Sequence, residues 1–131
     1  GQIAFPGGKK DQSDRSPIET ALRETQEEVG LNPKNVEIIA SLPSHKTATG
    51  FVIKPYLGLI NQPFSETLRQ GEVDEIFTVP YEYILNEKNF SIHTRKWNGS
   101  QRSYYVVPYG PYYIWGATAR ILLNLSRALS Q

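Results

Sequence analysis

Three features of the chain predict a fold of the α/β or α+β class: a helix marked at both ends over residues 17–29, a second helical stripe over residues 115–129, and short β-branched and aromatic runs between them. With 131 residues the chain is expected to form a single domain, 1–131, long enough for a real core.

The first helix carries its own limits. Ser16 is a good N-cap, Pro17 suits the first helical position, Glu19 completes a capping box and Gly30 stands where a left-handed C-terminal residue belongs. At about 100° per residue, Ile18, Leu22, Thr25 and Val29 fall on one side and Thr20, Glu24, Glu27 and Glu28 on the other. Most charged helix faces are simply solvated. Here Glu24 and Glu28 form a like-charged i, i+4 pair, and with Glu27 they crowd the half of the helix where the macrodipole disfavours negative charge. Only Arg23 and Lys34 compensate nearby, and several local rules broken together mark a site. Clustered carboxylates are hard oxygen ligands, suited to Mg²⁺ or Mn²⁺ rather than zinc.

Along the rest of the chain, residues 1–6 read as a short strand entering a glycine loop, and residues 36–42 as a strand following the Asn32-Pro33 stop. A further run covers residues 51–60, where Pro55 demands an edge position or a bulge. Polar residues 61–71 lead to a predicted strand over 72–80, and 81–85 should form a short helix. Residues 90–97 and 102–108 are predicted to make a hairpin turning at Asn98-Gly99, with residues 109–113 as a tyrosine-rich loop. The last helix should pack through Thr118, Ile121, Leu122, Leu125 and Leu129.

A net charge of +1, with both signs mixed throughout, implies no nucleic-acid partner. The absence of cysteine removes disulfides, thiolate zinc sites and cysteine nucleophiles, and fits a reducing, cytoplasmic location. No apolar run reaches transmembrane length and no signal peptide is visible, so no membrane partner is expected.

The run Arg23-Glu24-x-x-Glu27-Glu28-x-Gly30-Leu31, preceded by Gly7-Gly8, resembles the signature of the Nudix hydrolases. Two positions depart from it. Arg15 stands where a glutamate is usual and Thr25 where an aliphatic residue is usual; counted from Gly8, the glutamate position falls on Asp14, which is expected to substitute. The resemblance implies an α/β/α sandwich, with a mixed sheet between the metal-box helix and the C-terminal helix. It implies metal ligation by Glu24, Glu28, Glu27 and the Gly7 carbonyl, where only backbone fits against an ion, and catalysis by the three glutamates with Arg23. A further acidic residue could come from Glu66, Glu72 or Glu75. In this family a strand and a basic stretch precede the glycine loop, so an N-terminal segment is expected to be missing here.

Ions held in this way neutralise a diphosphate and acidify the water that attacks phosphorus. Lys9 and Lys10 are placed to meet phosphates, while Tyr109 and Tyr112 are candidates for a ligand wall. His93 and His45 are expected to be ordinary strand and loop histidines. Residues 1–9, Glu72-Val73, Phe77-x-Val79-Pro80 and 114–122 resemble the coenzyme A pyrophosphatase branch of the family. That branch implies cleavage of coenzyme A or its thioesters to adenosine 3′,5′-bisphosphate and 4′-phosphopantetheine species. Hydrolysis of ADP-ribose or a nucleotide sugar is the alternative within the family, and a non-catalytic nucleotide-binding module is the alternative outside enzymes. The expected partner is a small-molecule nucleotide substrate, with homodimer formation left open.

Overall fold

The computed structural model describes residues 2–64 and 73–130. Helix α1 runs over Pro17–Val29, as its end signals require: Ser16 Oγ accepts the N–H of Glu19, and Gly30 takes φ 81°, ψ 15° while donating its N–H to the Gln26 carbonyl. Only glycine adopts that left-handed cap without a Cβ penalty. Val29 and Thr20 are the buried residues of α1, whereas Ile18 is exposed. The packed side is therefore rotated towards Thr20, because a buried aspartate anchors that hydroxyl.

The described residues divide into two compact units. One contains the glycine loop, α1, a 3-10 turn over Pro33–Asn35, and strands β1 (Val36–Ser41) and β4 (Tyr56–Ile60), paired antiparallel with a register shift between Ile38 and Ala40. The other contains the short pair β2 (His45–Lys46) and β3 (Val52–Ile53), helix α2 (Tyr81–Leu85), strands β5 (Ser91–Trp97), β6 (Ser100–Tyr109) and β7 (Tyr112–Trp115), and helix α3 (Ala117–Leu129). Every ladder among the described residues is antiparallel, in the orders β1-β4, β2-β3 and β5-β6-β7.

Pro55 accounts for the division of the expected 51–60 strand. It has no N–H to give, and its carbonyl accepts from Leu42 at 3.0 Å, so β3 and β4 enter different ladders on either side of it. The hairpin turns where expected, with Asn98 at φ 49° and Gly99 at φ 77°, the double positive φ of a tight two-residue turn.

Three expectations are corrected. Residues 2–6 and 73–80 form no ladder: an apolar alternation marks a face that can be buried, but it names no backbone partner. Tyr109 to Tyr113 is not a loop but a second tight hairpin, in which Tyr109 pairs with Tyr112 across Gly110 and Pro111, and the left-handed Gly110 (φ 55°) supplies the turn. On α3 the buried residues are Ala119, Ile121, Leu122, Leu123 and Ser126, while Leu129 is exposed, so the stripe sits closer to Ala119 and Leu123 than spacing alone indicated.

Helix α3 packs on β6, β7 and α2, and Val106, Val107, Ile114 and Leu123 form the driest part of this unit's core. The Tyr83 hydroxyl donates to the Pro108 carbonyl, and Thr118 Oγ1 donates to the Ile3 carbonyl at 2.8 Å.

Candidate metal and diphosphate site

The site is built by α1 and the loop that leads into it. Arg23 is the centre of the arrangement. Its Nε and Nη2 donate to Asp14 Oδ1 and Oδ2, both at 2.9 Å; its Nη1 donates to Glu24 Oε1 at 3.0 Å and to Glu27 Oε2 at 3.2 Å. Nη2 also donates to the Lys9 carbonyl at 3.2 Å and lies 3.5 Å from Asp11 Oδ2. One planar guanidinium thus ties the glycine loop to the helix and spaces two of the glutamates.

Asp14 is the buried anchor, its side chain only 4% exposed. Besides Arg23 it accepts from the Asp11 N–H and from Thr20 Oγ1, each at 3.0 Å. These bonds favour the charged form: Arg23, above all, holds the Asp14 carboxyl far below the usual carboxylate range, with the Asp11 N–H next in effect. Asp14 reciprocally raises the guanidinium above the ordinary arginine value, with a smaller contribution from Glu24. Arg15 is exposed, so the contact falls to the position counted from Gly8. The burial of Asp14 and the role of Thr20 carry no signal in hydrophobic periodicity, because both residues belong to a polar network.

Gly7 and Gly8 face the glutamates in different ways. The Gly7 N–H donates to Glu28 Oε1 at 2.9 Å, whereas a Cβ built on Gly8 would lie 2.6 Å from Glu24 Cδ. Nothing lies within 4 Å of a Cβ built on Gly7. Among protein atoms, the position where a side chain is sterically costly is therefore Gly8.

The donor set fits a hard divalent ion in type, since Glu24, Glu27 and Glu28 offer carboxylate oxygens from one helix and the Gly8 backbone closes against Glu24. Among the described residues, however, no three His, Cys, Asp or Glu side chains already converge as a metal centre. The geometry explains this: Arg23 draws Glu24 and Glu27 towards itself while Glu28 turns to the Gly7 amide. A cation entering between them would compete with the guanidinium for the same oxygens.

Lys9 and Lys10 are exposed in the same loop, and Lys9 is positioned through its carbonyl bond to Arg23. Tyr109 and Tyr112 belong to the other unit, at the turn end of the β6–β7 hairpin, where Tyr109 packs edge-on against Tyr83 with ring centres 5.1 Å apart. His93 is exposed on β5 beside Ser91 Oγ, and His45 lies in β2, where burial, followed by Arg120, lowers its pKa. Glu75 is exposed, while Glu66 and Glu72 lie outside the described residues.

Comparison with known proteins places these features in a family. Residues 1–98 match the model of the NUDIX domain, and the chain belongs to the Nudix hydrolase family. Its α/β fold is a Nudix fold, and enzymes of this family generally use divalent metal ions. Among its relatives are two proteins named uncharacterized Nudix hydrolase NudL. That of Pectobacterium atrosepticum is 36% identical over 130 residues, covering 99% of this chain and 68% of the relative. That of Klebsiella pneumoniae is 37% identical over 129 residues, covering 96% and 66%. The chain thus spans about two thirds of the length of these relatives. No helix among the described residues is long and apolar enough to cross a membrane.

Proposed function

We propose that the chain hydrolyses a diphosphate linkage in coenzyme A or its thioesters, releasing adenosine 3′,5′-bisphosphate and 4′-phosphopantetheine species. The observation that carries the hydrolytic part is the Arg23-tethered face of Glu24, Glu27 and Glu28, set against the Gly7-Gly8 loop. These glutamates with the Gly7 carbonyl would hold Mg²⁺ or Mn²⁺, which when bound would supply charge neutralisation on the diphosphate and activation of the attacking water.

This chain's own residues have distinct tasks. Arg23 fixes the spacing of Glu24 and Glu27, and Asp14 fixes Arg23. Gly8 leaves room for the Glu24 carboxylate, and the Gly7 amide orients Glu28. Lys9 and Lys10 offer positive charge to the outer phosphate oxygens. The resemblance of residues 1–9 and 114–122 to the coenzyme A branch supports the choice of substrate.

The test is the ratio of kcat/KM values for coenzyme A, 3′-dephospho-coenzyme A and ADP-ribose. Preference for coenzyme A, weakened by loss of the 3′-phosphate, is expected. Equal turnover of all three would reduce the proposal to general diphosphate hydrolysis, and a chain that binds but turns over none of them would be a nucleotide-binding module.

A further inference from the structure

Charge is segregated along this chain. Every aspartate and glutamate lies at or before Glu87, while residues 88–131 carry six lysines and arginines and no acidic residue. That acid-free stretch belongs to the unit built on β5, β6 and β7. Two of its cations are engaged: Arg127 meets Glu87 at 3.3 Å, and Arg120 lies over the Tyr105 ring at 5.6 Å. Arg95, Lys96 and Arg102 have no acidic partner among the described residues.

These three sit on one projecting finger. Residues 91–103, which comprise β5, the Asn98-Gly99 turn and the start of β6, are exposed throughout, whereas β6 from Tyr104 to Val107 is half-buried or buried. The outer part of the hairpin, from the Thr94–Ser103 pair to the Trp97–Ser100 pair, therefore gains little from the core, and a two-stranded ribbon of that kind is marginal in water. Arg95 is the direct cross-strand partner of Arg102, so like charges oppose each other on one face. Trp97, at the tip, is 54% exposed, and Ile92 is 62% exposed. Opposed cations and an open indole on a ribbon without core support break several local rules together, as expected of a surface that meets a partner.

The chemistry of the finger selects among partners. A second copy docking through the same finger would bring like charges together across a two-fold axis. A nucleic acid is matched by cations that follow its backbone over many phosphates, and three cations leave a small footprint. An anionic bilayer surface meets both features at once. Its negative potential attracts the cations, and its headgroup layer is where tryptophan rests, with the apolar ring towards the acyl chains and the N–H towards water.

We propose that the β5–β6 finger docks the chain on the surface of an anionic phospholipid bilayer, with Trp97 in the headgroup layer and Arg95, Lys96 and Arg102 against lipid phosphates. The contact is peripheral and reversible and needs no spanning helix, so it amends the expectation that the chain has no membrane partner while agreeing with the lack of such a helix among the described residues. The finger lies within the β5–β7 unit and uses none of the α1 carboxylates, so docking is independent of hydrolysis.

Co-sedimentation with vesicles tests the proposal. The chain should bind vesicles of equimolar phosphatidylcholine and phosphatidylglycerol but not vesicles of phosphatidylcholine alone, and rising salt should release it. Binding should weaken on the order of 10²-fold in Arg95→Gln/Lys96→Gln/Arg102→Gln, from the attraction of each cation to an anionic surface, and several-fold in Trp97→Ala. That triple variant should melt no lower than the parent, because it removes the Arg95–Arg102 opposition. Arg15→Gln/Lys34→Gln/Lys88→Gln removes the same charge from exposed positions off the finger and should bind as the parent does. Absence of binding that depends on anionic lipid, equal weakening in the two triple variants, or tighter binding of duplex DNA than of anionic vesicles at the same salt would each overturn the proposal.

Discussion

Arg23 grips Asp14 at two points, Nε to Oδ1 and Nη2 to Oδ2, both at 2.9 Å, and the same guanidinium holds Glu24 at 3.0 Å. The buried carboxylate of Asp14 is therefore turned to Arg23 and anchors the side chain that contacts Glu24. It fixes the guanidinium that spaces Glu24 and Glu27, and partners that orient prospective metal ligands in this way commonly govern metal affinity and activity.

Acid stability should report this pair. The carboxyl of Asp14 is held below its ordinary value of 3.8, so its stabilising contribution is complete above that pH and is lost as pH falls towards the depressed folded value. The Asp14→Asn variant should be less stable than the parent at neutral pH. The gap should narrow below about pH 4 in denaturation series, in line with the ordinary carboxylate range. A constant gap down to pH 2 would show that the charge of Asp14 contributes nothing.

The two loop glycines should respond differently to alanine. At Gly8 the new methyl would meet Glu24 Cδ at 2.6 Å and displace the carboxylate, whereas at Gly7 it would meet nothing within 4 Å. Misplacement by about 1 Å can cost on the order of 10² in rate, so Gly8→Ala should lose roughly that factor in kcat/KM while remaining folded. Gly7→Ala should stay within a few-fold of the parent. Equal losses in the two variants would contradict the geometry.

These glycines also show what was legible in the residues and what was not. The helix limits were legible because Ser16, Pro17 and Gly30 act locally, and the Asn98-Gly99 turn because its dihedrals demand those residues. The carboxylate face followed from helical spacing. The packing of Gly8 against Glu24 depends on how the loop folds back onto the helix, which no periodicity records, whereas Asp14 was already indicated by counting from Gly8. Strand partners were equally hidden: Pro55 visibly disturbed its run, yet the assignment of β3 and β4 to different ladders is a tertiary fact.

Ser126 offers a test of the core that is independent of the site. It is fully buried on α3, and its Oγ has no hydrogen-bond partner among the described residues. Removing an unsatisfied buried hydroxyl should stabilise the fold by about 1 kcal/mol. Ser126→Ala should therefore raise the urea midpoint without changing the slope of the transition. A lower midpoint would mean that the hydroxyl is satisfied in solution.

Divalent-metal-dependent diphosphate hydrolysis by the glutamate face of α1, as proposed above, is open to direct test. The most direct measurement is steady-state coenzyme A hydrolysis with Mg²⁺ and Mn²⁺ by the parent and by Glu28→Gln, whose side chain keeps its shape but loses its charge. Activity that requires the metal and falls in the variant on the order of 10² or more in kcat, roughly 3 kcal/mol of transition-state stabilisation, with an unchanged melting profile, is the expected result. Turnover by Glu28→Gln equal to that of an active parent, or activity of the parent undiminished by chelator, would contradict it.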